Sequence, residues 1–433
     1  MKKFLRNPAA LLFILAPLLG QACSCNQTKN ESNETIIIDL EGNIGKGNVV
    51  DLSSVVSDIE YIPLETSDSS LVGDAREIYF ENGRFYLFSG RSKKVLQVYD
   101  SLGKHLLCFD RQGRGPQEYQ IANNVSVLPD GNIEITTGRD VMLYNGDGNF
   151  FRKFPLPKDR RFSVSEVLKM NDDTYAGIIY YYFAGNPEYC AVIFTPGDSS
   201  AQYMMPIPAF QQKDPFSTNL ISSISVEGEP ETDKNIKLIG ARVMLFRNKN
   251  FARFVFPYND TIFSLTPDMK LEKPFVIKYG KTRSPGGEDS ESQWQKYVVL
   301  RSTPFENERF LFLTFNLNDH AHQPYEKEIV LSKGRVHRYT LTDCHSLLDK
   351  KTGHFTLLNQ QEKGMPGLRE DILGGPPFWP LYVSSKGELV AFCQPEVLIS
   401  WAENHKVSPK LKKIIDKLDE NDNPVVVLAK LKR

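Results

Sequence analysis

A repeating strand pattern is clearest in residues 77–109, which read EIYFENGRFYLFSGRSKKVLQVYDSLGKHLLCF. Runs rich in phenylalanine, tyrosine, valine and leucine are separated there by Asn82-Gly83 and by the turn sequence SLG at 101–103. Aromatic and β-branched residues favour strands, and Asn-Gly between two apolar runs is the signal of a tight hairpin. The segment therefore predicts four antiparallel strands joined by short turns.

The same pattern returns in residues 125–154, which read VSVLPDGNIEITTGRDVMLYNGDGNFFRKF. Gly131 follows Gly83 by 48 residues, and Gly148 follows Gly103 by 45 residues. Four strands in about 45 residues, repeated in tandem, are typical of the blades of a β-propeller. Weaker copies of the pattern are predicted at residues 164–208, 241–279, 305–358 and 379–401. The sequence thus predicts an all-β fold, a six-bladed β-propeller with short helical insertions.

The two ends of the chain indicate how the ring closes. One blade cannot cover both faces of its sheet, so the blades must stack around an axis and the last must join the first. Strand-like runs lie at 35–40 and 59–64 near the start, and at 423–428 near the end. We expect these N- and C-terminal strands to pair and to close the ring.

Two helical insertions are predicted in the second half of the chain. Ser408 is a favourable N-cap and Pro409 suits a first turn. Leu411 and Ile415 belong to one apolar face of that helix. A second helix is predicted around residues 293–301, between the fourth and fifth blades. We interpret both helices as packing elements of the propeller.

Composition limits the class of protein. The 433 residues are 41% hydrophobic and 11% aromatic, which excludes disorder as the main state. The formal net charge is −1, and no basic stripe is present. Since nucleic-acid binders carry a basic excess, we expect no nucleic-acid partner. We also expect a monomer.

The first residues resemble an export signal. Lys2, Lys3 and Arg6 precede an apolar run at 9–19, which ends in the sequence GQAC with Cys23. In bacterial lipoproteins, a cysteine at this position receives lipid and anchors a soluble domain to the membrane. We therefore predict a signal peptide at 1–22, a flexible tether at 23–34 and a propeller domain at 35–433.

The lipid is expected on Cys23, with Cys25 as the alternative, and ordinary secretion without lipid is the competing interpretation. The predicted location is the bacterial cell envelope, specifically the outer membrane, on a face that the sequence does not specify. The other cysteines are Cys108, Cys190, Cys344 and Cys393. Each stands alone in a strand-like run, so we expect buried free thiols rather than disulfides or a metal site.

Four short motifs carry a resemblance to a known family. They are IPLET at 62–66, GRGPQEY at 113–119, DILGGPPFWP at 371–380 and DNPV at 422–425. With the leader, they resemble the six-bladed β-propeller lipoproteins of Bacteroides-type bacteria over nearly the whole mature chain. One departure is Gln117, where the family usually has glycine, which places a left-handed turn there in question. The resemblance implies the fold and an envelope location, and it implies no catalytic residue.

The candidate ligand-binding residues lie in two of these motifs. Arg111, Arg114, Glu118 and Tyr119 surround a glycine-rich loop that can present backbone amides and guanidinium groups to a carboxylate or sulfate. We favour the alternative of a turn between blades in which Arg and Glu pair. In the second motif, Asp371 precedes a Gly-Gly-Pro-Pro turn, and Trp379 offers a stacking platform for a sugar or peptide. A structural, buried Trp379 is the interpretation that we prefer.

Catalytic and metal-binding patterns are sparse. His320 and His322 alternate beside Asp319, yet two histidines do not make a metal site, and we interpret them as loop residues. We therefore predict no metal and no cofactor. Two classes of function remain. We favour a non-catalytic binding protein whose axial funnel takes a peptide, a glycan or an envelope protein. The alternative is a hydrolase or lyase acting on a glycan or lactone, with a divalent metal at the axial mouth.

Overall fold

The structure is a computed structural model of the chain. It describes residues 35–73, 75–89, 95–159, 162–171, 174–183, 186–196, 203–206, 243–255, 259–268, 270–284, 293–330 and 336–432. The predicted signal peptide, the tether and both candidate lipid-attachment cysteines, Cys23 and Cys25, lie outside these residues. Among the helices that are described, none is long and apolar enough to cross a membrane.

Six antiparallel sheets follow one another along the chain, which confirms the predicted six-bladed propeller. The blades are numbered in chain order, with their strands given from the innermost outward. Blade 1 contains Ala75–Glu81, Arg84–Ser89, Val95–Asp100 and His105–Phe109. Blade 2 contains Asn124–Val127, Ile133–Thr136, Asp140–Tyr144 and Phe150–Pro155. Blade 3 contains Phe162–Asn171, Thr174–Phe183, Asn186–Phe194 and Tyr203–Pro206, with the short strand Lys158–Asp159 beside the first.

Blades 4 to 6 carry the additions to this pattern. Blade 4 contains Met244–Asn248, Phe251–Val255, Thr261–Leu265 and Leu271–Ile277. In blade 5, Val299–Leu300 and Phe305–Glu306 both pair with Phe310–Asn316, which is followed by Asp343–Asp349 and His354–Leu357. A separate hairpin of Tyr325–Val330 and Val336–Leu341 is inserted within blade 5. Blade 6 contains Tyr382–Val383, Leu389–Cys393 and Val425–Leu431, and its outermost strand is Val56–Pro63.

Blade 6 closes the ring by joining both ends of the chain. The strand Val56–Pro63 runs antiparallel to Val425–Leu431, with Tyr61 opposite Val427. This pairing confirms the expected closure. The earlier run at 35–40, however, takes no part in it.

That earlier run forms a different contact. Its strand, Ile36–Ile38, lies parallel to Leu271–Ile277 at the outer edge of blade 4. The strand is short because Asp39 begins a helix at Leu40–Asn43, with the Asp39 carboxylate accepting a hydrogen bond from the Gly42 amide. Ile38 is buried and packs into the layer between blades 4 and 5. The expectation that residues 35–40 help to close the ring was therefore wrong.

The apolar core is divided into six layers, one between each pair of neighbouring blades, among the described residues. The layer between blades 6 and 1 includes Val426 and Leu428 on one side and Ile78 and Phe85 on the other. It is as well buried as the layers elsewhere in the ring. Each blade thus buries both faces of its sheet only through its two neighbours.

The helix predicted after Ser408 is confirmed as Pro409–Ile415. The Ser408 hydroxyl accepts a hydrogen bond from the Leu411 amide at 3.2 Å, and Leu411 and Ile415 are buried. The helix predicted at 293–301 was wrong. The chain there makes one 3-10 turn, Trp294–Lys296, and then pairs with blade 5 as Val299–Leu300. Its β-branched residues favour the strand that blade 5 can accept.

A second helix was not predicted. Pro395–Asn404 follows the second strand of blade 6 and buries Leu398 and Trp401. The sixth copy of the strand pattern was expected to extend to Trp401, so its final third is helix instead of strand. Shorter helical turns are Leu52–Ser54, Gly280–Thr282 and Asn318–His320.

The cysteines are only partly as expected. Cys344 and Cys393 are free thiols. Burial raises the pKa of Cys344 and of Cys393 to about 12, as expected for inert structural thiols. Cys108 was expected to be buried but is exposed, because it lies on the outermost strand of blade 1. The side chain of Cys190 lies outside the described part of the chain.

Candidate functional site

The inner ends of the blades are joined by buried glutamates. Glu81, the last residue of the innermost strand of blade 1, accepts hydrogen bonds from the Ser385 amide at 2.7 Å and from the Tyr382 hydroxyl at 2.8 Å. Glu306 has the equivalent position in blade 5, and it is bound by Asn248 and Arg253 of blade 4. In each case these donors come from the preceding blade. These carboxylates hold neighbouring blades together.

A third buried glutamate lies between blades 2 and 3. Glu134 is 1% exposed and accepts hydrogen bonds from Ser126 at 3.1 Å and from the Tyr175 hydroxyl at 2.7 Å. Burial raises the pKa of Glu134, against the opposing effects of these two hydrogen bonds and of the positive charges of Arg247 and Lys169. Those two cations therefore lie near the inner end of the blade 2 and blade 3 interface.

Arg247 connects blades 3 and 4. It lies on the innermost strand of blade 4, and its Nη2 donates a hydrogen bond to the backbone carbonyl of Lys169 on the innermost strand of blade 3. Its charge also opposes the burial that raises the pKa of Tyr382, which belongs to blade 6. Because Arg247 lies on the innermost strand of blade 4 and bonds to the innermost strand of blade 3, its guanidinium lies on the axial side of these two blades.

The bonding of Arg247 is incomplete. Its Nε is buried and has no hydrogen-bond acceptor among the described residues. A guanidinium has five N–H donors in a planar fork that matches a carboxylate. Leaving a buried charged donor without a partner is costly. The axial end of Arg247 can therefore take a hydrogen-bond acceptor that the described chain does not supply.

The predicted Arg-rich loop connects blade 1 to blade 2. The Glu118 carboxylate accepts a hydrogen bond from the Gly115 amide at 2.8 Å, and Arg111 Nε donates to the Gly148 carbonyl at 3.1 Å. Tyr119 is buried in the apolar layer between the two blades, whereas Arg114 is exposed. No ion pair joins Glu118 to either arginine within the described residues. The loop is therefore an interblade turn, although not through the Arg-Glu pairing that we favoured.

Gln117 is the position at which the family usually has glycine. It is not among the described residues with positive φ. Its backbone carbonyl accepts a hydrogen bond from the Tyr144 hydroxyl at 2.9 Å. The turn is therefore held by a blade 2 tyrosine without a left-handed residue at this position.

The second predicted motif lies on the connection from blade 5 to blade 6. Asp371 accepts a hydrogen bond from the Ser53 amide at 2.9 Å, which attaches this connection to the start of the domain. Trp379 is half-buried and stacks on His345, with ring centroids 4.0 Å apart and an interplanar angle of 5°. Its ring also meets Phe312 edge to face at 5.6 Å. In this structure Trp379 makes packing contacts within the protein.

The histidine pair has separate partners. His320 Nε2 lies 3.0 Å from the carbonyl of Lys296, and His322 Nε2 contacts the side-chain oxygen of Asn359. Asp319 is in the same 3-10 turn as His320. The described residues contain no group of three or more His, Cys, Asp or Glu side chains arranged to hold a metal. Glu118 and Asp371 belong to other connections, so these candidates do not converge on one site.

The residues that sequence reasoning missed are Glu81, Glu134, Arg247 and Glu306. Glu134 stands between Ile133 and Ile135 in the buried strand Ile133–Thr136. A charged residue inside an apolar strand is costly unless it finds a partner on another element. That pattern was the available signal, because a lone charge in a buried strand predicts a contact across a blade interface.

The six sheets, joined at their inner ends by buried glutamates, form a six-bladed propeller. Comparisons with known proteins agree with this fold. The chain belongs to the family described as domain of unknown function DUF4934, whose model matches residues 35–430. It is similar to the crystal structure of a Bacteroides fragilis protein described as exported, with 16% identity and a TM-score of 0.57. The match covers 92% of this chain and 100% of that one, which shows the shared fold.

A second solved structure is more distant. A DUF4221 family member from Bacteroides vulgatus is 12% identical over 89% of this chain and 99% of that chain, with a TM-score of 0.44. Comparison with curated proteins returned no match.

Proposed function

We propose that this propeller is an exported, lipid-anchored binding protein of the bacterial cell envelope, non-catalytic and attached to the outer membrane through Cys23. The support for anchoring is the leader, in which three basic residues and an apolar run precede Ala22-Cys23. A lipid at that position, followed by a polar tether at 23–34, leaves the propeller free to meet a ligand outside the bilayer.

The ligand binds at the axis, and the observation that carries this proposal is the incomplete bonding of Arg247. Its buried Nε has no acceptor within the described residues, and its Nη2 bonds to the innermost strand of blade 3. A carboxylate on a peptide, a glycan or a partner protein would supply the missing acceptor through a charge-assisted hydrogen bond. We therefore expect the axial ligand to be acidic.

The test is a binding measurement with defined probes. Full-length protein in detergent is screened against peptides with free and amidated carboxyl termini and against acidic and neutral oligosaccharides. We expect binding of free-carboxylate or acidic members, weakened about ten- to a hundredfold by Arg247→Met, because charge-assisted hydrogen bonds contribute about 1.5–3 kcal/mol. The matched control is Arg338→Met, on the exposed hairpin of blade 5. Equal affinity of Arg247→Met and the unaltered protein would refute an axial site.

A further inference from the structure

A groove of about 300 Å³ lies on the flank of blade 5, away from the innermost strands. One wall is formed by residues Asn48 and Val50 of the segment that precedes the ring-closing strand. Much of the remaining lining comes from blade 5, with His354 and Thr356 on its outermost strand. Its volume is at the lower end of the range typical of small-molecule sites, about 300–1,000 Å³.

The floor of the groove is apolar. Phe310 and Leu347 are 4% and 7% exposed, and both belong to the layer between blades 5 and 6. Val50 packs against the same layer. A ligand in this groove would therefore lay an apolar face on a rigid surface.

The charges beside the floor compensate one another. Arg309 donates from Nε and Nη2 to the same Asp349 oxygen, at 3.2 and 2.8 Å. The Arg309 guanidinium carbon also lies 4.9 Å from the centre of the Phe310 ring. Because the carboxylate already balances the guanidinium, the groove offers no net attraction to an anion. The remaining Arg309 donor, Nη1, has no acceptor among the described residues.

Three further polar side chains complete the rim. The side-chain amide of Asn48, the His354 ring and the Thr356 hydroxyl have no hydrogen-bond partner within the part of the chain that the structure describes. Together with Arg309 Nη1, they supply both donors and acceptors around an apolar floor. Asn48 and His354 are exposed and Thr356 is partly exposed, so these side chains are accessible to a ligand in the groove.

We propose that this groove binds a neutral saccharide. A sugar ring has hydroxyl groups at its edge, each a donor and an acceptor, and an apolar face formed by its C–H bonds. The rim matches the hydroxyls, the floor matches the apolar face, and the Arg309–Asp349 pair disfavours a charged ligand. The site is on the flank of blade 5 and does not include the axial Arg247, so it is a second binding site of the propeller.

The experiment uses the full-length protein in a zwitterionic detergent without sugar headgroups. Probes are glucose, galactose, mannose, N-acetylglucosamine and their common disaccharides, with glucuronate as the charged comparison, followed by saturation-transfer NMR and calorimetry up to about 10 mM. We expect binding of at least one neutral probe. Asn48→Ala and Thr356→Val should each weaken it about three- to tenfold, because each removes one hydrogen bond.

Two control variants show whether a loss of affinity is specific to the groove. Thr340→Val, on the exposed hairpin of blade 5, should leave saccharide affinity unchanged. Arg247→Met should also leave it unchanged, so failure of the axial site and failure of the groove are distinguishable. The proposal is overturned if no neutral probe binds, if glucuronate alone binds, or if both groove variants keep the affinity of the unaltered protein.

Discussion

The Glu306 carboxylate of blade 5 accepts two hydrogen bonds from the guanidinium of Arg253 in blade 4, at 3.0 and 3.3 Å. The Glu306 side chain is 0% exposed and that of Arg253 is 9% exposed. Asn248 and Lys350 also donate to this carboxylate, Lys350 at 2.8 Å. The interface between the two blades is therefore tied by an ion pair that water does not reach.

Removing the carboxylate should destabilise the whole ring. In Glu306→Ala, the guanidinium and the ammonium that faced Glu306 stay buried without their counter-charge, a loss of about 3–5 kcal/mol for a buried pair. The measurement is the midpoint of urea unfolding followed by circular dichroism. Glu328→Gln breaks an exposed pair with Arg338 and should cost at most about 1 kcal/mol. Similar midpoints for both variants would contradict the assigned role of Glu306.

Stability should also depend on pH through His345. Burial lowers the pKa of this imidazole to about 3, from an ordinary value of about 6.5. Between these values the unfolded chain binds a proton that the folded protein does not, so stability is complete above pH 6.5 and falls as the pH decreases toward 3. We expect this group to cost about 1–2 kcal/mol at pH 5 relative to pH 7.

The measurement is urea unfolding at pH 5 and pH 7 for His345→Gln and the unaltered protein. The variant should lose that part of the pH dependence. His337→Gln, on the exposed strand of the blade 5 hairpin, is the matched control and should retain it. An unchanged pH dependence in His345→Gln would show that this histidine is not the responsible group.

Membrane attachment is expected to depend on Cys23. Cys23→Ser removes the thiol that receives the lipid, so the protein should leave the membrane fraction and lose incorporation of labelled palmitate. Cys25→Ser is the comparison, since it leaves Cys23 intact. Labelling that persists in Cys23→Ser and disappears in Cys25→Ser would move the attachment site. Labelling that persists in both variants would refute attachment at either cysteine.

The blades could be predicted because their turns have local signatures. Gly83, Gly103, Gly131 and Gly148 all have positive φ, between 71° and 84°, a conformation that glycine adopts without strain. In the blade 4 hairpin, Lys249 takes the position of Asn82 with φ 53°, and Asn250, in the position of Gly83, is not among the described residues with positive φ. The glycine signal is absent from this turn, so the copy at 241–279 looked weaker in the sequence.

The helix Pro395–Asn404 was not predicted because its sequence is ambiguous. Residues 397–399 are Val, Leu and Ile, a run that suits a strand as well as a helix. The helix differs from a strand in burying Leu398 and Trp401, which are three positions apart. This burial requires the connection from blade 5 to fold over both side chains. Trp401 donates a hydrogen bond from its indole nitrogen to the Gly374 carbonyl at 2.9 Å.

The axial contacts between blades could not be predicted from the sequence, for a related reason. The partners Arg247 and Lys169 are 78 residues apart, and Arg253 and Glu306 are 53 residues apart. Each pair joins neighbouring blades, so nothing within one blade specifies it. The sequence repeats predict the strands and turns of each blade, whereas the register between neighbouring blades depends on the closed ring.

The junction of Val56–Pro63 with Val425–Leu431 can form only once both ends of the chain are present. Until then, the first of these strands keeps an open hydrogen-bonding edge. Such an edge pairs readily with foreign strands, and a chaperone is one way to shield it. A chain that lacks its last ten residues would therefore leave the ring open, with unpaired strand edges on both sides of the gap.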